Sequence, residues 1–410
     1  MPLLRNWRRK LVTKSDDKRV PALRFKGFTD EWEQRKLNYF LTTSSQKNSQ
    51  NIYNKFNVLS VSGKYGIVNQ IKLQGRSFAG KSLTNYKIIN KNDIVYTKSP
   101  IKSNPYGIIK TNKQDTGIVS TLYAVYHPTK FVFPNFVELY FSNELRLNKY
   151  LKPIVNIGAK HDMKVANDEV INYKVIFPKV NEQTTINELF LKVDKLITLQ
   201  QRKLKLLKLL KKAILQNLFV DKSMPYLRFI SFDKSWDIVK LTDVGKATGG
   251  TSIESEFTSI GGTHKVISIG SYKENHAYND QGIRVNLNDK TTSGRIIGSV
   301  LLVPVDNVFV YNQRTERIEP NHKKFSSKFL YQYLNSPNIR NKIVSNAQGN
   351  TQIYVNWSSI SKIKYLMPQK KEQDKISKLL FTLDFIINNQ QLRIKKYEKF
   401  KQFLLQNMFI

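Results

Sequence analysis

The sequence predicts an α+β fold in which two mixed α/β domains are joined and spaced by two long antiparallel coiled-coil helices, the whole forming a pseudo-two-fold repeat. Three observations predict it. At 410 residues the chain is too long for one ordinary core, and it matches itself in two separate stretches. One of the matched stretches also carries heptad spacing, whereas the regions between the matches carry short β-branched and aromatic runs broken by Gly, Asn and Pro.

The first match aligns Val20–Leu37, VPALRFKGFTDEWEQRKL, with Met224–Leu241, MPYLRFISFDKSWDIVKL, at eight identities in eighteen positions. The second aligns Pro178–Val220 with Pro368–Ile410 at a constant offset of 190, and fifteen of 43 positions agree. Glu182-Gln183 meets Glu372-Gln373, Asp194 meets Asp384, and Leu215-Gln216-Asn217 meets Leu405-Gln406-Asn407. Between these anchors the halves diverge. The expected order is therefore a basic, mobile tail over 1–19, a variable domain over 20–177, a shared helical segment over 178–223, a second variable domain over 224–367 and a second helical segment over 368–410.

In the first helix Ile186, Leu189, Val193, Leu196, Leu207, Leu210 and Ile214 fall on a and d positions, and in the second Ile376, Leu379, Leu383, Ile386, Tyr397, Phe400 and Leu404 do the same. Gln200 and Lys203 interrupt one seam, and Gln390 and Arg393 the other, as register-setting polar residues do. Connectivity sets the direction: the first helix feeds the domain that feeds the second, so burying both seams requires the second helix to run back. Thirty-nine residues at ~1.5 Å each span ~58 Å, with one variable domain expected at each end.

The variable regions read as strands and turns, as at Phe56–Val61, Asp93–Tyr96 and Ile296–Val303, with helices at Pro134–Leu151 and Ser326–Asn335. Lysine plus arginine outnumber aspartate plus glutamate 67 to 31, a net charge of +36, which points to a polyanionic partner and first to nucleic acid. The loops carry the residue types that bond base edges or phosphates. In the first domain the candidates are Lys64, Tyr65, Lys98, Lys102, Asn104, Tyr106, Lys160 and His161. In the second they are Lys290, Thr292, Arg295, Asn312, Gln313, Arg314, Asn350 and Gln352.

Other chemistries find little support. With no cysteine there is no disulfide framework and no thiolate metal site, and the five histidines lack ligand spacing, so no metal site is expected. No apolar run is long enough to span a bilayer, which leaves a soluble, cytoplasmic protein as the expectation. Gly75-Arg76-Ser77-Phe78-Ala79-Gly80-Lys81-Ser82 satisfies the phosphate-loop expression, yet its chemistry needs a strand before it and a helix after it, and the following residues form a poor helix. Asn104-Pro105-Tyr106 reads as a turn, and Asp162-Met163-Lys164 lacks a paired carboxylate. No catalytic residue is identified. A phosphate-loop nucleotide-binding protein, or a coiled-coil scaffold without DNA specificity, stand as alternatives.

The P-x-L-R-F start, the Trp that follows it, the Pro followed by Glu-Gln, the central Asp and the closing Leu-Gln-Asn resemble the specificity subunits of Type I restriction-modification enzymes over residues 20–410. The resemblance implies that each variable domain is a target recognition domain for one half of a bipartite double-stranded DNA site. It implies helices that space the domains and dock two modification (methyltransferase) subunits, with restriction (motor-nuclease) subunits joining the larger complex. S-adenosylmethionine, ATP and Mg would then be held by those partners and not by this chain, which would be non-catalytic and reside in a bacterial or archaeal cytoplasm.

Overall fold

The structure, a computed structural model, describes residues 11–13, 19–100, 104–157, 163–249, 257–258, 262–267, 271, 278–285, 300–303, 309–311, 317–345 and 357–410. It divides into two compact units, Met1–Leu199 with Ile394–Ile410, and Gln200–Arg393.

The first unit is organised by an antiparallel four-stranded sheet in the order Leu41–Thr43, Tyr123–Pro128, Ile94–Thr97, Ile109–Thr111. Its side chains alternate as a strand requires. Ile94, Tyr96, Ala124 and Tyr126 join the main core with Trp32, Phe136, Val137 and Phe177. Val95 and Val125 face the opposite way, against Leu59, Ile67, Ile89 and Val119. A hairpin, Leu59–Ser62 with Gly66–Asn69, covers that second face. The single helix expected over Pro134–Leu151 is two, Pro134–Tyr140 and Glu144–Leu151, because the Asn143 side chain accepts the Arg146 amide and starts a new helix. Leu11–Thr13, expected in a free tail, pairs antiparallel with Leu23–Phe25.

The domain closes where Lys174–Phe177 pairs with Glu33–Lys36, which delivers the chain to Pro178 and the first long helix, Val180–Leu218. In the helix's first turn Glu182 receives two bonds from Arg24, each 2.8 Å, with both side chains buried. Gln183 accepts the Phe133 amide at 2.8 Å and donates to the Pro178 and Phe131 carbonyls.

The second unit repeats these fixtures atom for atom. Asp237–Val239 pairs with Tyr365–Met367, and the second long helix, Lys370–Asn407, follows. Glu372 receives two 2.8 Å bonds from Arg228, which also donates to the Lys234 carbonyl as Arg24 does to that of Asp30. Gln373 accepts the Ser326 amide and donates to the Pro368 and Lys324 carbonyls. The core gathers Trp236, Phe329, Tyr333, Tyr365 and Met367. A four-stranded sheet runs Phe257–Thr258, Arg284–Val285, His264–Ile267, Phe309–Tyr311, its last pair parallel. Of the strand expected at Ile296–Val303, residues 300–303 are not extended pairing partners. Val300 exchanges its amide and carbonyl bonds with the Asn335 side chain instead, so a helix end satisfies the backbone that a neighbouring strand would have taken.

Within the first unit Ile186, Phe190 and Val193 of the first long helix share a core with Leu404, Met408 and Phe409 of the second. Within the second unit Leu218 and Phe219 share one with Ile376 and Leu380. The start of one helix thus lies beside the end of the other in each unit, and the pair is antiparallel. Ile186, Leu189, Val193, Ile376, Leu383, Tyr397 and Leu404 are buried as expected, but on the second helix the alternate heptad position is displaced by one residue. Along the second helix and just past its end a buried row runs Ile376, Leu380, Leu383, Ile387, Gln390, Ile394, Tyr397, Leu404 and Met408, stepping by four and three with half-buried Lys401 in sequence. Leu379 and Ile386, expected in the seam, are 37% and 39% exposed, and Leu210 on the first helix is 50% exposed. Leu196, Leu207, Ile214 and Phe400 are half-buried, while Lys203 and Arg393 face solvent. The physical reason is local: Leu379-Leu380 and Ile386-Ile387 each offer two adjacent apolar side chains, so heptad spacing alone admits either phase, and beside exposed Leu210 it is half-buried Lys211 that meets the other helix, at Asp384.

Candidate nucleic-acid interface

The candidate contacts that the structure describes all lie in the first unit. Lys64 and Tyr65 form the tip of the Leu59–Asn69 hairpin, where Tyr65 donates its amide to Ser62 Oγ and Gly66 turns the chain at φ +71°. The Lys64 ammonium lies 5.1 Å from the Tyr65 ring centroid, and the ring is 58% exposed. Lys98, Asn104 and Tyr106 are brought together in a second place, the loop that leaves the strand Ile94–Thr97. Tyr96 Oη donates to the Tyr106 carbonyl at 2.7 Å, and Gly107 returns the chain at φ +90°. A Cβ at Gly107 would lie 2.0 Å from the Thr97 carbonyl, so only glycine lets the loop close here.

None of Lys98, Asn104 and Tyr106 is fully exposed, and Tyr106 is half-buried against the main core. Asn104 is buried, and its carbonyl accepts the Gly107 amide in the turn the sequence predicts at Asn104-Pro105-Tyr106. Lys98 is half-buried and donates to the Val165 carbonyl at 2.7 Å. Burial pulls its ammonium below the usual lysine range, against the opposing pull of Glu169. Lys102, Lys160, His161, Lys290, Thr292, Arg295, Asn312, Gln313, Arg314, Asn350 and Gln352 lie outside the described residues.

Sequence reasoning missed Lys47 and Lys87. A β-bridge sets these two residues opposite each other, and Lys87 Nζ donates to the Tyr123 carbonyl at 2.8 Å. Burial lowers the Lys87 ammonium, and repulsion from Lys98 and Lys47 lowers it further. Lys87 and Lys98 are half-buried and Lys47 is exposed, and their like charges repel. A signal was present: no aspartate or glutamate occurs between Glu33 and Asp93, a stretch that holds ten lysines and arginines.

The phosphate-loop pattern at Gly75–Ser82 does not have the geometry its chemistry needs. Gly75 ends the helix Gln70–Gln74 at φ +78°, donating its amide to the Ile71 carbonyl, and the chain after Lys81 proceeds to the strand Lys87–Ile89 without a helix. Helix and loop stand in the reverse of the strand-loop-helix order that cradles a nucleotide.

Two units, each a mixed domain clamped to a long helix by the same Arg, Glu and Gln, on a strongly basic chain, define a duplicated architecture. Residues 233–396 match the family described as the Type I restriction modification DNA specificity domain. The sequence is similar to the Type I restriction enzyme MjaVIII specificity subunit of Methanocaldococcus jannaschii, at 23% identity over 290 residues, 64% of this chain and 67% of that protein. The fold is shared with the S subunit of the Type-I restriction-modification system from M. genitalium, with a TM-score of 0.53 at 14% identity over 95% of this chain and 99% of the other. It is shared also with a chain from a structure of complex assembly and conformational transition of the type I R-M system, with a TM-score of 0.53 at 16% identity over 92% and 97%. The resemblance to Type I specificity subunits is thus present in domain family, in sequence and in fold. Neither the nucleotide-binding nor the plain scaffold alternative finds support.

Proposed function

We propose that the chain is the DNA sequence-specificity subunit of a Type I restriction-modification complex. Residues 20–177 read one half of a bipartite duplex target and residues 224–367 the other. The long helices space them and dock two modification subunits, restriction subunits join the larger assembly, and the chain does no covalent chemistry itself. Methyl transfer, ATP use and cleavage, with S-adenosylmethionine, ATP and Mg, fall to those partners in a bacterial or archaeal cytoplasm. Among the described residues, no helix is long and apolar enough to cross a membrane.

The observation that carries this reading is the duplication of the clamp. Arg24–Glu182 and Arg228–Glu372 hold two domains of unlike loops on like helices, which is what reading two unlike half-sites from one scaffold requires. The helices also expose Leu206, Leu209, Phe385 and Leu392, each more than half exposed, which supplies apolar surface for docking. The test is DNA binding by the chain purified with its modification subunits, measured by fluorescence anisotropy across salt. The expected result is a steep linear fall of log K with log salt, with one duplex preferred over its shuffled counterpart. A salt-independent complex contradicts the proposal.

A further inference from the structure

The Gly75–Ser82 segment is pinned on both sides of Phe78. Gln70 Oε1 accepts the Phe78 amide at 2.7 Å and the Ser77 hydroxyl at 3.2 Å, and Gln70 Nε2 is tied to Ser60 Oγ at 3.1 Å. On the other side Ala79 packs against Val58, Leu83 and Ile118. Phe78 is nevertheless 57% exposed, with the Arg76 guanidinium 4.6 Å from its ring centroid. A large apolar ring held outward by a fixed loop is surface prepared for a partner, because the ordering cost of the loop is met before binding.

The surroundings identify that partner as a polyanion. Asn69, next to Gln70, donates its side chain to the Phe56 carbonyl at 2.7 Å, so Phe56, 63% exposed and 5.4 Å from the Lys55 ammonium, is anchored one residue along from Phe78's own anchor. The exposed Lys64–Tyr65 pair stands at the far end of the same hairpin. This surface lies wholly within the stretch from Gln34 to Asn92 that contains no carboxylate. Apart from Arg35, none of the ten cations there forms an ion pair among the described residues.

We propose that the Gly75–Ser82 loop is a DNA wedge: Phe78 leans on a base step of the first half-site while Arg76 enters the adjoining groove, and the surrounding lysines hold phosphates. Apolar side chains beside arginine are a recurrent means of unstacking a step and reading duplex shape. The proposal rests on the specificity-subunit reading and adds which surface of the first unit meets the duplex.

The test uses the full chain assembled with its modification subunits, a duplex carrying the methylated target and a shuffled duplex. Phe78→Ala and Arg76→Ala should each weaken target binding about tenfold or more, and Phe78→Leu should restore most of it. Binding of Phe78→Ala to the shuffled duplex should change less than about twofold, since phosphate contacts dominate there. An unchanged thermal transition for Phe78→Ala shows that the loss is not unfolding. Target binding at the wild-type level in both alanine variants overturns the wedge, as does ATP binding by the wild-type chain that Lys81→Ala abolishes. If the wild-type complex itself shows no preference for the target, the specificity reading fails; an intact preference untouched by these variants contradicts only the wedge.

Discussion

Gln390 donates its side-chain amide to both the backbone carbonyl (3.0 Å) and the side-chain oxygen (2.8 Å) of Gln200, its own counterpart 190 residues earlier. Gln390 is buried among the apolar residues of the second unit's seam. A slip of the helices would leave that amide buried without a partner, so the pair favours one register.

Truncating one member should therefore cost more than removing both. Gln200→Ala is expected to lower stability by about 1 kcal/mol, because the Gln390 amide loses its side-chain acceptor and keeps only the Gln200 backbone carbonyl, whereas Gln200→Leu with Gln390→Leu should be neutral or stabilising. Urea denaturation measures both. A double variant as unstable as the single one contradicts the account.

The seam phase separates neighbouring residues. Leu380→Ala and Ile387→Ala should each cost roughly 2–5 kcal/mol, because both side chains are buried. Leu379→Ala and Ile386→Ala, at partly exposed positions, should each cost under about 1 kcal/mol. Equal losses across the four variants would return the seam to the phase heptad spacing first indicates.

Much of this was legible in the sequence, and the limit was local degeneracy. The register of Glu182-Gln183 with Glu372-Gln373 was legible as part of the repeat, but that both glutamates are buried and clamped was not. That the partner is the Arg of the P-x-L-R-F motif, 158 residues before Glu182, is a tertiary fact with no local signal. The seam phase was hidden by apolar pairs such as Ile386-Ile387. The loop candidates could not tell outward Tyr65 from buried Asn104, because turn-building and base-reading draw on the same side chains.

The clamps make a further prediction. Arg24→Met alone should destabilise the first unit by about 3–5 kcal/mol by leaving Glu182 charged and buried. Adding Glu182→Leu should recover most of the loss, as measured by thermal unfolding. Failure of the second substitution to restore stability would mean that the pair does more than neutralise itself.

Alkaline pH should weaken the second unit. Burial, and then the nearby Asp384 charge, push the Tyr331 phenol up to about 12, and burial raises Tyr333 and Tyr365 as well. A folded-state pKa above the unfolded value of ~10 favours the neutral phenol in the fold. That stability is present below pH ~10 and is lost as pH rises from there through the folded values. Denaturation midpoints should fall above pH ~10 and less steeply in Tyr331→Phe; a flat profile contradicts the burial of these phenols.

The central claim, that each half of the chain reads one half of a bipartite target, is tested most directly by mapping methylated sites in DNA from cells carrying the chain with its modification subunits. The measurement is made before and after residues 20–177 are exchanged for the corresponding domain of a related subunit. The account predicts a two-part target in which the exchange alters one half-site and leaves the other half-site unchanged. Alteration of both half-sites together, or of neither, would contradict it.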